Sequence, residues 1–402
     1  MGKVIVISFQ SLTATSGQGM ARLGYLLSKE LHRRGLLKIF VVHSKGKFET
    51  PFPSEPVSFF SRYYLFILNK LNNIFNFKTH KFRFLQERLF DWFCAQKVDN
   101  SVDIVFATQP YLKRTFRKAK RLGIKTILLS GTPEDNYMYD IVSEENKKLG
   151  ATAIDSYTYD KRNQYFNDTM QYLDVVIGSL PTAYKTYAVS RVFKGENINM
   201  TGHMTPDFPA FDINDKKNNS GKFVVGYLAY TVVLKGLHYL LEAWEEIVKE
   251  NDTADIELLI GGPLHPIVDE YVKTRFSNLT KVKFLGQVTD IAGFMKQLDL
   301  FAAPSLIDGA PVSALEAAHY AVPVLITDNA GSSELIGRGK GGGYIVPIRD
   351  AQAIKEKILW AYQHREENAA IGIHAKENMD NYSFEDFIIE VSEYLEKQLD
   401  GR

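Results

Sequence analysis

Short apolar runs rich in β-branched residues alternate with helical patterns along almost the whole chain. This alternation limits the fold more than any other feature. Val4–Ser8 reads as a buried strand. Gly19–Arg34 reads as a helix, with Met20, Leu23, Leu26, Leu27 and Leu31 at helical spacing and Gly35 as a stop. Ile39–His43, Asp103–Ala107, Thr126–Ser130 and Val175–Ser179 repeat the strand pattern. Runs of this kind, separated by helices, are the signature of βαβ units and a parallel sheet. Around residues 206–222 the pattern stops in a stretch rich in Pro, Asp, Asn, Lys, Ser and Gly, which reads as a linker. It then restarts. Phe223–Tyr227, Ile256–Ile260, Val282–Leu285, Leu300–Ala303, Val324–Thr327 and Gly343–Val346 read as strands. Leu237–Lys249, Ile291–Leu298, Ala351–His364 and Phe384–Leu399 read as helices. The expectation is an α/β protein of two doubly wound domains, 1–205 and 223–383, with a cleft between them. Ligands in such sheets sit beyond the carboxyl ends of the strands.

The length of 402 residues agrees, because one core rarely grows past about 250–300 residues. The single cysteine, Cys94, excludes an intramolecular disulfide and a cysteine-based zinc site, and a reducing compartment is the simplest reading. The net charge of +1 hides an asymmetry. Residues 1–121 carry 21 Lys and Arg against 7 Asp and Glu, while the remainder carries 27 against 40. A basic first part suits phosphates, nucleic acid or an anionic membrane. The apolar run Val4–Ile7 is too short for a secretory signal, and nothing approaches the ~20 apolar residues of a spanning helix. The expected location is cytoplasmic, or peripheral on the cytoplasmic face of a membrane.

The most informative stretch runs Phe301-Ala-Ala-Pro304-Ser305-Leu-Ile-Asp308-Gly309-Ala310-Pro311-Val312-Ser313-Ala-Leu-Glu316-Ala317. A strand ends at Ala303, a turn follows, and a helix begins near Pro311. The free N–H groups and positive end of that helix make a ready site for a pyrophosphate. Asp308 lies before the helix and Glu316 inside it, so both carboxylates can reach one hydroxyl-rich ligand. A capping Asp and a solvated Glu is the plainer alternative on spacing alone.

The segment resembles the donor site of the family-four (group 1) retaining nucleotide-sugar glycosyltransferases of GT-B fold. Their pattern sets an acidic residue eight positions before a Glu, here Asp308 and Glu316. The flanks Val282-Lys-Phe-Leu-Gly286-Gln287-Val288, Ala321-Val-Pro323-Val324, Gly331-Ser-Ser-Glu334 and Gly342-Gly343-Tyr-Ile-Val-Pro347 agree. The resemblance covers about 223–350 well and the rest more loosely. It implies two Rossmann-like domains facing a central cleft, with the helix 384–402 crossing back onto the first. It also implies a sugar moved from a nucleotide-diphosphate sugar to an acceptor, with retention at the anomeric carbon.

On that resemblance Glu316 binds ribose hydroxyls. Asp308 stands for the first glutamate, which touches the donated sugar. The backbone at Gly309, Ala310, Val312 and Ser313 holds the diphosphate, and Gly262, Gln287 and Val288 belong to the donor site. Lys235, in Leu234-Lys235-Gly236, matches the lysine that neutralises the leaving diphosphate, but Tyr227 stands where an arginine is expected. The expected catalytic set is thus Asp308, Lys235 and Glu316. No metal and no cofactor is expected, since the lysine and helix N-termini supply the positive charge. In the first half, the loop Thr13-Ala-Thr-Ser16-Gly17-Gln18-Gly19 joins strand to helix, and Gly17 and Gly19 are read as donor-contacting. The histidine usual after a middle strand of this domain is absent. The comparable stretch is Leu128-Leu-Ser130-Gly131-Thr132-Pro133-Glu134-Asp135, where Thr132 or Asp135 is the candidate substitute. His203 reads as structural.

Residues 56–121 interleave basic and aromatic side chains. That suits an anionic membrane surface or a lipid-diphosphate acceptor, with core aromatics on helices and solvated lysines as the plainer alternative, and no nucleic-acid motif is present. The expected partners are a nucleotide sugar and a sugar or lipid-linked acceptor, such as a polysaccharide or glycolipid precursor. Two rivals remain: a silent nucleotide-binding subunit, which the absent arginine, the absent histidine and Asp308 favour, and a GT-B-like nucleotide-sugar epimerase, which shares the architecture.

Overall fold

A computed structural model describes residues 3–12, 20–46, 48–57, 61–75, 78–151, 154–203, 209–213, 221–250 and 255–400. The chain divides into two compact units. The first comprises Met1–Tyr139, Ile154–Met204 and Ser383–Arg402, and the second Asp140–Ala153 and Thr205–Tyr382.

Among the described residues, the first unit holds a seven-stranded parallel sheet. Its strands are β1 (Val4–Leu12), β2 (Leu37–Lys45), β3 (Ser54–Pro56), β4 (Ile104–Ala107), β5 (Lys125–Ser130), β6 (Val175–Gly178) and β7 (Glu196–Asn199), in the order β3-β2-β1-β4-β5-β6-β7. Val4 to Ile7 and Ile104 to Ala107 are fully buried. Central parallel strands are covered on both faces, so they read as unbroken apolar runs. Helices α1 (Met20–Arg33), α2 (Ser61–Phe75), α3 (Thr79–Lys97), α4 (Lys113–Arg121), α5 (Asp135–Lys148), α6 (Asp160–Met170) and α7 (Pro181–Ala188) follow the strands. Phe90, Cys94, Phe116 and Phe166 fill the space between α3, α4, α6 and the sheet. The last helix, α15 (Phe384–Asp400), packs on α1, where Arg34 pairs with Glu396 at 2.7 Å.

The second unit has β8 (Phe223–Leu228), β9 (Ile256–Gly261), β10 (Val282–Gly286), β11 (Leu300–Ala303), β12 (Val324–Thr327) and β13 (Gly343–Val346), in the order β10-β9-β8-β11-β12-β13. Its helices are α8 (Leu237–Glu250), α9 (Pro266–Arg275), α10 (Ile291–Lys296), α11 (Val312–His319), α12 (Ser333–Ile336), α13 (Ala351–Gln363) and α14 (Arg365–Asp380). In both sheets the strand order reverses beside the first strand, between β1 and β4 and between β8 and β11. These are doubly wound, Rossmann-like sheets.

Residues 140–153 lie in the N-terminal stretch of sequence but cluster with the second unit. The buried Glu145 carboxylate explains this. It accepts from Arg349 Nε at 2.5 Å and the Tyr239 hydroxyl at 3.1 Å, and His238 Nε2 lies 3.2 Å away. Part of the 206–222 stretch is outside the described residues. Within it Phe211 is buried against Tyr320, so this segment has an apolar anchor in the second unit.

Candidate functional site

The site grows from the loops after β8 and β11, the two strands at which the order reverses. After β8 the chain makes a single tight turn, Val233–Lys235, and then Gly236 adopts φ 69°. A Cβ on Gly236 would lie 1.9 Å from the Pro304 carbonyl oxygen, so only glycine allows the two loops to touch here. Leu306 N donates to Leu234 O at 2.8 Å and fastens them. On the other side, Asn329 Nδ2 donates to Leu306 O at 2.7 Å, the Thr327 hydroxyl to Ser305 O at 2.5 Å, and Asp308 N to Asn329 O at 3.2 Å. The loop 304–310 is thereby held on both flanks by backbone and short side chains. Its acidic residue has little freedom to move.

That geometry joins two of the sequence candidates. Lys235 Nζ donates to Asp308 Oδ2 at 2.5 Å, and the Ser305 hydroxyl lies 3.4 Å from the same oxygen. The Lys235 side chain is 25% exposed and that of Asp308 12%, so this is a mostly desolvated pair. A small cavity beside it is lined by Tyr227, Lys235, Ser305, Pro311 and Ser313. Helix α11 opens on Pro311, and no side chain caps its first turn. Its leading N–H groups therefore have no intrahelical acceptor, as at any helix start. Gly309 and Pro311 are buried, Ala310 and Ser313 half-buried, and Val312 is 37% exposed.

Glu316 sits just over one turn inside α11. It is half-buried, burial pushes its carboxyl up, and its side chain makes no hydrogen bond or ion pair among the described residues. Gly262 has φ 99°, and a Cβ there would meet Ala229 O at 1.9 Å. Gly262 thus lets the loop after β9 lie against the loop after β8, and its N–H donates to Gly286 O at 2.6 Å. Gln287 is exposed, while Val288 is half-buried against the second unit's core. Gly17 and Gly19 lie outside the described residues.

Tyr227, at the expected arginine position, is 2% exposed on β8. Its hydroxyl has no hydrogen bond of normal geometry, although the Thr231 side chain lies beside it. Thr231 Oγ1 itself is 3.2 Å from Ala229 O. Sequence reasoning did not single out Asn329 or Thr327, whose role is to hold the loop. Their signal is weak, since each is one polar residue among turn residues.

In the first unit Thr132 is exposed, and His203 is fully buried. Asp135 is buried and bound internally. It accepts the Tyr111 hydroxyl, and Arg162 Nη1 lies 3.6 Å from its carboxylate. Burial raises Asp135 to about 6, against the opposing pull of Arg162. Arg162 also donates to Glu87 through Nε at 2.9 Å and Nη2 at 3.2 Å, and lies over the Tyr111 ring. This network was not read from the sequence, because its members come from four separate segments. Among the described residues, no cluster of three or more His, Cys, Asp or Glu could hold a metal ion.

Two doubly wound sheets, with these loops at a switch point, define the GT-B class. Solved structures agree: Anabaena HepE in complex with UDP and glucose superposes with a TM-score of 0.60 over 99% of this chain and 100% of that one, at 16% identity. Residues 222–364 match the family described as glycosyl transferases group 1. The chain is similar to the capsular polysaccharide biosynthesis glycosyltransferase CapM of Staphylococcus aureus, at 27% identity over 40% of this chain and 42% of that one. It is also similar to the N,N'-diacetylbacillosaminyl-diphospho-undecaprenol alpha-1,3-N-acetylgalactosaminyltransferase of Campylobacter jejuni, at 28% over 38% and 40%. These alignments span less than half the length of either relative. Residues 222–364, in the second unit, thus match the group 1 glycosyltransferases within a chain of GT-B fold, in agreement with the resemblance read from the sequence.

Proposed function

We propose that the protein is a glycosyltransferase that moves a sugar from a nucleotide-diphosphate sugar to an acceptor with retention at the anomeric carbon. The observation that carries this reading is the Lys235–Asp308 pair set beside the uncapped start of α11, with Glu316 unpartnered inside the same helix. Glu316 accepts from the ribose hydroxyls, an interaction that gives a half-buried carboxylate the donors it lacks. The diphosphate lies at the start of α11 against the N–H groups of Val312 and Ser313. Lys235 meets the negative charge that grows on the leaving diphosphate, a large part of the barrier in such a step. Asp308 orients Lys235 and accepts from hydroxyls of the donated sugar. No metal ion takes part in this scheme. The contributions of Gly17, Gly19, Gly262, Gln287 and Val288 to donor binding belong to the same proposal.

The acceptor is a sugar or lipid-linked precursor of a polysaccharide or glycolipid. The Campylobacter relative, named for a diphospho-undecaprenol-linked acceptor, supports a lipid-linked one. The protein acts as a peripheral enzyme on the cytoplasmic face of a membrane, with 56–121 towards anionic lipid. HepE's complex with UDP and glucose makes UDP-glucose the first donor to try.

The test is thermal unfolding with UDP, GDP, ADP, TDP and their sugars, without added metal, on the native protein and Glu316→Ala. One nucleotide should raise the midpoint of the native protein and not of the variant. No shift with any nucleotide, or an equal shift in the variant, overturns the donor site.

A further inference from the structure

Helix α2 carries its apolar stripe on the wrong side for a folded domain. Phe66 is 66% exposed, Ile67 54%, Leu71 37% and Ile74 65%. They recur at helical spacing, so they form one face. In a surface helix that face normally covers the core. Here it faces solvent, while among the described side chains of α2 Leu68 and Asn72 are half-buried. Single exposed apolar residues are ordinary, but a continuous stripe of large ones marks a docking surface.

Charge identifies the occupant. Residues 56–86 contain five Lys and Arg and no Asp or Glu. Lys70 lies on the exposed side of α2 between Ile67 and Leu71. On α3 the exposed positions Lys81, Leu85, Arg88 and Trp92 share one helical face and repeat the mixture of basic and apolar groups. A second copy of this chain would bring two acid-free surfaces together, so self-association through this face is opposed by like charge. An anionic bilayer matches both properties: its headgroups attract the cations, and its acyl boundary accepts the stripe. At 15 residues α2 is about 22 Å long, short of the ~30 Å hydrocarbon core, so it lies in the interface and does not cross it.

We propose that α2 is a membrane-inserting element, its Phe66-Ile67-Leu71-Ile74 stripe entering the surface of an anionic bilayer. This deepens the membrane-surface reading above and rests on it. Lipid headgroups in a bilayer, and not free phosphate, are the ligand, because only a bilayer accepts the apolar stripe. Attraction and insertion are separable: salt weakens the first, whereas the second depends on apolar area.

The experiment is co-sedimentation of the full chain with vesicles of phosphatidylcholine alone, and with about 30% phosphatidylglycerol. The native protein should bind the anionic vesicles and keep part of that binding at about 1 M salt. Phe66→Ser/Ile74→Ser should weaken it about 100-fold, roughly tenfold per large apolar side chain. Both positions are exposed, so the unfolding midpoint of the variant should match that of the native protein. No binding by the native protein overturns both the membrane reading and this inference. Binding that survives the double substitution leaves the membrane reading standing and overturns the insertion. A change in oligomeric state with no change in vesicle binding assigns the stripe to self-association, and equal binding of free inorganic phosphate and vesicles assigns the site to phosphate. The donor test needs no lipid, so its result is independent of these.

Discussion

Replacing Lys235 by Met tests whether the pair with Asp308 is a unit. At 2.5 Å, and with an effective dielectric of about 20, the gross attraction is about 7 kcal/mol. Desolvation of both groups removes much of that, so the net coupling expected is about 1–3 kcal/mol. Lys235→Met leaves the Asp308 carboxylate, 12% exposed, without its ammonium partner; the single change should cost about 2–3 kcal/mol. Asp308→Asn leaves an ammonium that is 25% exposed and better able to reach water, so its cost should be smaller, about 1–2 kcal/mol. The double variant should be no worse than Lys235→Met alone. The assay is urea unfolding of the four proteins in a Trp92→Phe background, followed by tryptophan fluorescence. Trp92 lies in the first unit, whereas Trp244, fully buried, and Trp360 report on the second. Additive costs, with a coupling below ~0.5 kcal/mol, would mean that the two side chains do not hold each other.

Gly236→Ala should destabilise the second unit by at least ~2 kcal/mol. It combines a left-handed φ with a Cβ 1.9 Å from Pro304 O, and the same unfolding assay reads it. Asp135 has a folded pKa of about 6 against an ordinary 3.8, so the folded state holds a proton there that the unfolded state releases. Its contribution is therefore present below about pH 4 and is lost as the pH rises through 6, by about 3 kcal/mol at most. The midpoint of Asp135→Asn relative to the native protein should rise across that window in a thermal series; a flat difference refutes the assignment. Tyr227→Phe should leave the unfolding midpoint unchanged or slightly higher, since it removes a buried hydroxyl with no well-formed bond. Tyr227→Arg should destabilise the second unit by about 2 kcal/mol or more, because it buries a second cation on a strand where Lys235 already holds the nearby carboxylate.

The strands legible in the sequence are those buried on both faces, such as Val4–Ile7 and Val324–Thr327, whose apolar runs need no tertiary information. The edge strands β3, Ser-Glu-Pro, and β7, Glu-Asn-Ile-Asn, have no such run and exist through pairing with β2 and β6. Helix α14 was missed for a different reason. Its packed face is small residues and not leucines: a Cβ on Gly372 would meet Ala321 O at 2.2 Å, so it fits by being slim. Periodicity also says nothing about direction. The stripe of α2 is visible in the sequence, but only the fold shows that it faces outward. Phe284 and Leu285 are 47% and 42% exposed, because β10 is an edge strand. At the site, the residue types of Lys235, Asp308 and Glu316 were legible, whereas a salt bridge between residues 73 apart was not.

The tyrosine at position 227 and the Lys235–Asp308 pair belong to one electrostatic arrangement. An arginine at 227 would be a second cation on a buried strand, next to a lysine that already takes one oxygen of the local carboxylate. Tyrosine fills that volume without charge, and the pair itself sums to zero. Among the described groups lining the cavity, the N-terminal end of α11 then adds a fixed positive potential of roughly half an elementary charge to what Lys235 supplies. On the proposed reading, the donor's diphosphate is held more by oriented backbone N–H groups than by side-chain cations. Backbone donors do not move and need no reorganisation when charge develops on the leaving group. They are also fixed a few ångströms from the ligand, where bulk salt screens little. Nucleotide affinity should accordingly fall less than about threefold between 0.05 and 0.5 M salt; a steep salt dependence in a titration would show that mobile cations outside the described loops carry the binding instead.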